Sequence, residues 1–184
     1  MDVKVILDGL FTRSDGVPAS NNMDYNFFTR YLSVFEKVDV VARCFDIEDL
    51  SAHAVEGEDV RFTSLPGYQG PWGLIKSLFS IFIVIFRNCL EKEDAVILRL
   101  PATIPMLVGF MRVILNRPFG VELVGDPEDA YSQESLRHPL SHFFQWLFVR
   151  GTRLLCKKAV ACSYVTKKAL QKKYPSTKMF SYTS

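Results

Sequence analysis

The 184-residue sequence lacks the short motifs that disclose most small enzymes. It has no Walker A run, no G-x-G-x-x-G after its first apolar segment and no G-x-S-x-G elbow. P-loop phosphoryl transfer, a dinucleotide fingerprint and hydrolase chemistry therefore find no support. Cysteine is scarce: Cys44, Cys89, Cys156 and Cys162 include no C-x-x-C pair, which argues against a disulfide scaffold or a zinc ribbon. They read as reduced, buried small hydrophobes. Of the three histidines, His53 lies in an acidic stretch and reads as solvated. His138 and His142 are four apart, but Pro139 intervenes and no third ligand accompanies them, so no metal site is expected.

Long hydrophobic runs are also missing. The most apolar segment, LFSIFIVIF from Leu78 to Phe86, is confined between Lys76 and Arg87, whereas a membrane span takes roughly 20 residues. A buried core helix is the first reading, and a helix lying in a membrane interface is the second. The N-terminus, MDVKVILDGL, meets acid too early for a signal peptide, so a cytoplasmic location is expected.

What is present is an ordinary globular composition, 48% hydrophobic and 23% charged, with a net charge of only +2. That balance gives no reason to expect nucleic acid. The charge is uneven, however. From Arg150 onward there are nine Lys/Arg and no Asp or Glu, leaving 13 basic and 20 acidic residues, a net of −7, in the preceding part. A basic C-terminal part is either a solvated helix face or a surface for anionic lipid or a phosphorylated ligand.

Apolar, β-branched runs at Val3–Leu7, Val38–Ala42, Val60–Leu65, Ala95–Leu100, Phe119–Val124 and Ala159–Cys162 read as buried strands. Met179–Tyr182 reads as the start of one more. Between them, helical periodicity predicts helices over Asp24–Phe35, Leu74–Leu90, Thr103–Leu115, Leu140–Lys158 and Tyr164–Lys173. Residues Asp8–Asn22 and Pro66–Gly73 read as loops, and Asp46–Asp59 as a short helix and turn. The alternation predicts a doubly wound, mostly parallel, Rossmann-like α/β sheet over residues 1–184 as a single domain.

In such sheets ligands bind beyond the carboxyl ends of the strands. The residues there are Asp8 and the loop with Gly16 and Asn22, then Tyr68 in its Gly/Pro-rich loop, then Arg99, then Gly125-Asp126-Pro127. Asp126 has two compatible readings. Pro127 makes it a natural N-cap. Alternatively, its carboxylate projects into the crevice to orient or deprotonate a hydroxyl. Only the second reading makes its loss cost activity without costing the fold. Arg99 either pairs with an acid such as Glu122 or binds a phosphate or carboxylate.

Together LRLP (Leu98–Pro101), RPFGVELVGDPEDAY (Arg117–Tyr131) and YVTKKALQKKYPS (Tyr164–Ser176) resemble bacterial glycosyltransferases of family 4, specifically their N-terminal, acceptor-side domain. The glycine-bearing loop after the first strand fits as well. The resemblance implies one half of a GT-B architecture, in which two Rossmann-like domains face each other across a cleft. It implies retaining transfer from a nucleotide-sugar to a polysaccharide or lipid-linked acceptor, without a metal or other cofactor. Asp126 becomes the candidate catalytic residue, with Gly16, Asn22, Tyr68, Arg99 and Gly125 lining the acceptor and donor-phosphate cleft. Many relatives carry a histidine within the stretch where this chain reads LVGD. The donor-binding C-terminal domain is expected to be absent and the chain inactive alone. The hydrophobic helix, Trp72 and the basic residues suit docking on the inner face of an anionic membrane. The competing reading is a non-catalytic Rossmann-like subunit that activates a separate partner chain.

Overall fold

The computed structural model describes residues 1–91, 95–131, 141–166, 168–177 and 181–183. They form two compact units, Met1–Val96 and Ile97–Ser184, with the boundary inside a strand. The chain is α/β, with a mostly parallel, Rossmann-like strand arrangement.

The first unit is built on β1 (Val3–Ile6), β4 (Val38–Glu48) and β6 (Val60–Pro66). β4 runs parallel to β1 from Val38 to Val41 and parallel to β6 from Val38 to Cys44. Val3, Val5, Ile6, Val40, Val41 and Leu65 are fully or almost fully buried, as apolar strand residues covered by helices should be.

Residues 8–22 are not the simple loop expected. They fold into β2 (Phe11–Ser14) and β3 (Val17–Ser20), an antiparallel hairpin. Asp15 and Gly16 both have positive φ, 51° and 78°, at its two-residue turn. An Asp-Gly pair at a turn with the right twist for a hairpin is the physical reason. Phe11 pairs with Cys44, which also pairs with Pro66, so β2 and β6 flank β4 on opposite sides. The hairpin thus prolongs the sheet past the end of β1, and β4 runs on to Glu48 to meet it. This extension displaces the short helix expected after Asp46. β5 (His53–Ala54) closes the edge against β3, and His53 is exposed.

Helix α1 (Tyr25–Thr29) starts at Asp24, whose carboxylate accepts from the Phe27 N–H at 3.1 Å, and tightens into a 3-10 turn over Arg30–Ser33. Helix α2 spans Gly70–Asn88. It begins four residues before the expected start because Pro71 suits a first helical turn, where no N–H is needed. It is not buried all round. Ile81 and Ile85 are inaccessible, while Trp72 and Phe79 are each 77% exposed and Phe86 is 69% exposed.

The second unit carries β7 (Ala95–Leu100), β8 (Gly120–Leu123), β9 (Ala161–Tyr164) and β10 (Ser181–Thr183), side by side and parallel. β9 and β10 each lie about two residues further along than expected. Leu98, Leu100, Leu123 and Tyr164 fill one face. The other face is only half-covered, and the strands alternate rather than being buried on both sides.

Helix α3 (Thr103–Ile114) joins β7 to β8. The buried Arg112 holds the following turn by donating twice to the Pro118 carbonyl, at 3.0 and 2.7 Å. The one-turn helix α4 (Pro127–Ala130) follows β8. The long helix α5 (Ser141–Lys158) packs on α3 and α4. Gly109 and Gly151 lie at close approaches, where an added Cβ would come within 2.7 Å of Leu155 and 2.6 Å of Met106 respectively. Helix α6 (Ala169–Lys173) is one turn, much shorter than the expected Tyr164–Lys173 segment. All four cysteines are buried thiols.

Candidate functional site

Each unit gathers charged side chains just beyond its strand ends. In the first unit Arg43, from the middle of β4, forms an ion pair with Asp8, which follows β1. Its Nη1 donates to the Tyr68 carbonyl at 2.9 Å, and its guanidinium lies 4.2 Å from the centre of the Tyr68 ring. Asp8 is only 6% exposed. Arg43 thereby ties together the segments that follow β1 and β6. Gly67 permits this approach, because a Cβ there would meet Phe45 at 2.7 Å and the Cys44 carbonyl at 2.9 Å.

Gly16 comes just before β3 and Asn22 two residues after it, so a strand about 13 Å long runs between them. Gly16 is the hairpin tip, where its carbonyl accepts from Arg13 at 3.0 Å. Asn22 is exposed, with its N–H directed to the Ser20 hydroxyl at 3.3 Å. Tyr68 belongs to the Arg43 cluster. Arg43 itself was not among the expected site residues. Its signal in the sequence is a cation interrupting the apolar run VDVVARCF.

In the second unit Arg99 and Glu122 are register partners on β7 and β8, and their side chains meet at 3.1 Å. The expected pairing of Arg99 with Glu122 is present. Just beyond these strands lie Pro101 and Gly125. A Cβ on Gly125 would come no closer than 3.9 Å to Pro101, so space does not demand glycine here.

Asp126 adopts the extended backbone that Pro127 imposes, and its Oδ1 accepts from the Glu128 N–H at 2.9 Å. The expected N-cap is therefore present. The same carboxylate accepts from the Tyr174 hydroxyl at 2.7 Å and from Lys173 Nζ at 2.6 Å. Lys173 also pairs with Glu128. The end of α6 is thus clamped to the start of α4.

Burial pulls the Asp126 pKa upward. Hydrogen bonds from Lys173, Tyr174 and the Glu128 N–H outweigh it, so the carboxyl titrates below its usual range. Burial and the same carboxylate push the Tyr174 hydroxyl well up. Burial lowers the Lys173 pKa, but its bonds to Asp126 and Glu128 prevail and raise it. A carboxylate with three donors and a depressed pKa is a weak proton acceptor. In this arrangement Asp126 is suited to holding Lys173 and Tyr174 in place.

Beside this cluster α4 and α5 enclose an open groove of about 400 Å³, lined by Glu128, His142, Gln145, Trp146, Arg150 and Arg153 over Val149. Gln145 donates to the Glu128 carbonyl at 2.7 Å, and Tyr131 stacks on Phe148 with ring centres 3.8 Å apart, which fixes α4 against α5. Apart from His142 and the basic stretch that begins at Arg150 and includes Arg153, none of the groove residues was singled out from the sequence. Their signal is the basic and aromatic periodicity at 142, 146, 150 and 153. Among the described residues no group of three His, Cys, Asp or Glu is placed to hold a metal ion, and His138 lies outside the described residues.

No family model matches the chain. Protein CapJ of Staphylococcus aureus is 28% identical over 159 residues, covering 85% of this chain and 39% of that protein. The chain therefore spans well under half the length of this curated relative. Among solved structures, a Listeria monocytogenes protein described as a UDP-N-acetylglucosamine 2-epimerase aligns with a TM-score of 0.46 at 13% identity, over 94% of this chain and 41% of that one. An alignment that loose carries no argument of its own.

Proposed function

We propose that this chain supplies the acceptor-binding wall of a sugar-transferring enzyme of the GT-B type. The donor site would come from a further segment or a partner chain. The observation that carries this reading is the rim at the paired ends of β7 and β8. There lie Arg99–Glu122, the uncrowded Gly125 and the Asp126–Lys173–Tyr174 cluster, whose partner Glu128 also lines an open groove. The motif resemblance and the α/β fold support it. Protein CapJ, more than twice as long as the stretch it shares with this chain, leaves room for a second domain of similar size.

In this reading an acceptor hydroxyl attacks the anomeric carbon of a nucleotide-sugar. The bond from that carbon to the diphosphate breaks, and the hydroxyl proton passes to the departing diphosphate. The transition state resembles an oxocarbenium ion, and charge accumulates on the departing diphosphate. Among the described residues we find no phosphate-cradling loop, so this chain's part is to orient the acceptor. Asp126 acts there by fixing Lys173 and Tyr174 on the rim. Transfer proceeds with retention, as the resemblance implies.

The direct test incubates the 184-residue chain with nucleotide-sugars and glycan acceptors, alone and then joined to a donor domain. The expected outcome is no transfer by the chain alone and transfer by the joined protein. Turnover by the chain alone would refute the reading.

Membrane docking belongs to the same proposal. Helix α2 exposes Trp72, Ile75, Phe79 and Phe86 and carries Lys76 and Arg87 with no acid. No described helix is long and apolar enough to cross a membrane. An exposed apolar stripe edged by cations is suited to lying in an anionic interface. Co-sedimentation with vesicles of phosphatidylglycerol, but not phosphatidylcholine, is expected. Equal binding to both, or to neither, would remove this part.

A further inference from the structure

We infer that the groove between α4 and α5 is a subsite for a pyranose bearing a negative charge, so that the acceptor in the reading above is an acidic or phosphorylated glycan. The inference rests on that reading for its role, but the groove stands on its own features.

The first feature is an aromatic platform. Trp146 is 55% exposed, and the exposed Phe143 lies beside it, with ring centres 6.3 Å apart and planes 27° from parallel. Large rings left open to water at the edge of a groove offer apolar faces to the C–H face of a sugar ring.

The second feature is charge. Arg150 lies 5.8 Å from the centre of the Trp146 ring. Arg153 donates to the Lys173 carbonyl at 3.3 Å and lies 5.8 Å from the Tyr174 ring. Among the described residues neither guanidinium has a carboxylate partner. The groove's own acid, Glu128, is taken by Lys173. Two guanidinium groups beside an aromatic face thus remain available for a carboxylate or phosphate, which arginine binds through paired N–H donors.

The third feature is its size and lining. A groove of about 400 Å³ falls within the range of small-ligand sites and holds a sugar ring with its substituents. Gln145 and His142 provide polar walls for hydroxyl groups. The Arg153–Tyr174–Asp126 chain links this groove to the rim beyond β8, so a glycan seated on Trp146 would extend toward that rim.

The test uses the whole chain with Trp72→Phe, which leaves Trp146 as its one tryptophan. Calorimetry and Trp146 fluorescence follow four probes: glucuronate, glucose 1-phosphate, glucose and inorganic phosphate. Saturable binding of one or both charged sugars is expected, at least tenfold tighter than glucose, with phosphate failing to compete at equal concentration. Which charged sugar binds distinguishes a carboxylate from a phosphate.

Arg150→Gln should remove the preference over glucose, and Arg150→Lys should restore part of it. By calorimetry Trp146→Ala should lose at least tenfold for the charged sugars. Equal affinity for glucose and glucuronate would overturn the inference. So would phosphate competing as well as the sugars, no saturable binding, or an Arg150→Gln variant that binds unchanged. Both side chains are exposed, so circular dichroism should be unaltered in every variant. Charged-sugar binding here without transfer by the joined protein would defeat the transferase reading alone. Transfer without such binding would defeat this subsite alone.

Discussion

The two ion clusters use the same three kinds of group, a carboxylate after a strand, a cation and a tyrosine, to opposite ends. Around Arg43 they are closed in. Asp8 is almost inaccessible, and the guanidinium is shared between a carboxylate, a carbonyl and the Tyr68 ring. Around Asp126 they remain open to water on one side, where Lys173 is 31% exposed and the groove lined by Arg150 and Arg153 begins. A sealed pair of this kind serves the fold, because exposing or orphaning its charge is costly. An open cluster holds its groups in place while leaving neighbouring cations free to meet a ligand.

This contrast orders the effects of mutation. Asp8→Ala should be the most damaging change, because it leaves Arg43, whose side chain is only 19% exposed, without its counter-ion. A loss of about 3–5 kcal/mol is expected in urea unfolding. A loss below about 1 kcal/mol would mean that the first cluster is as open as the second.

Asp126→Ala removes an N-cap and the anchor of α6, and should cost about 1–2 kcal/mol. Asp126→Asn, which keeps a capping oxygen, should cost less. The pH dependence sharpens the point. The folded pKa of Asp126 lies below its unfolded value of about 3.9, so its stabilisation is complete above that pH and lost as pH falls through the folded value. The urea midpoint of Asp126→Asn should accordingly vary less with pH than the parent below about pH 4. Parallel profiles would show that the ion pair contributes nothing.

The glycines separate next. Gly16→Ala forces a side chain into a left-handed conformation and should cost about 1 kcal/mol, although nothing crowds it. Gly125→Ala meets neither strain nor a clash, and should change stability by less than about 0.5 kcal/mol. Any loss of glycan binding by Gly125→Ala would then report the rim itself. Trp146→Ala should likewise leave stability nearly unchanged.

The same contrast explains what could be read in advance. The strand–helix alternation rests on local apolar runs, so the α/β class and the two paired strands that carry Arg99 and Glu122 were legible. The Asp126 cap was legible because Pro127 acts on its immediate neighbour. The hairpin at Asp15-Gly16 carried a local signal too, but the surrounding polar residues make that stretch resemble a loop. The partners of Asp126 were not legible. Lys173 and Tyr174 lie 47 and 48 positions away, and nothing in YVTKKALQKKYPS distinguishes one lysine from another until α6 is folded against α4. Arg43 was obscured for a similar reason: a cation in an apolar strand has meaning only once Asp8 and Tyr68 are brought to it.

The account's central claim is that this chain binds the acceptor and not the donor. Two-dimensional NMR of the 184-residue chain, titrated separately with a charged glycan and with nucleotide-sugars, tests it most directly. The charged glycan should shift resonances at Gly125, Asp126, Trp146, Arg150 and Tyr174 saturably, and at concentrations at least tenfold lower than any nucleotide-sugar does. Saturable shifts with a nucleotide-sugar, and silence with the glycan, would contradict it.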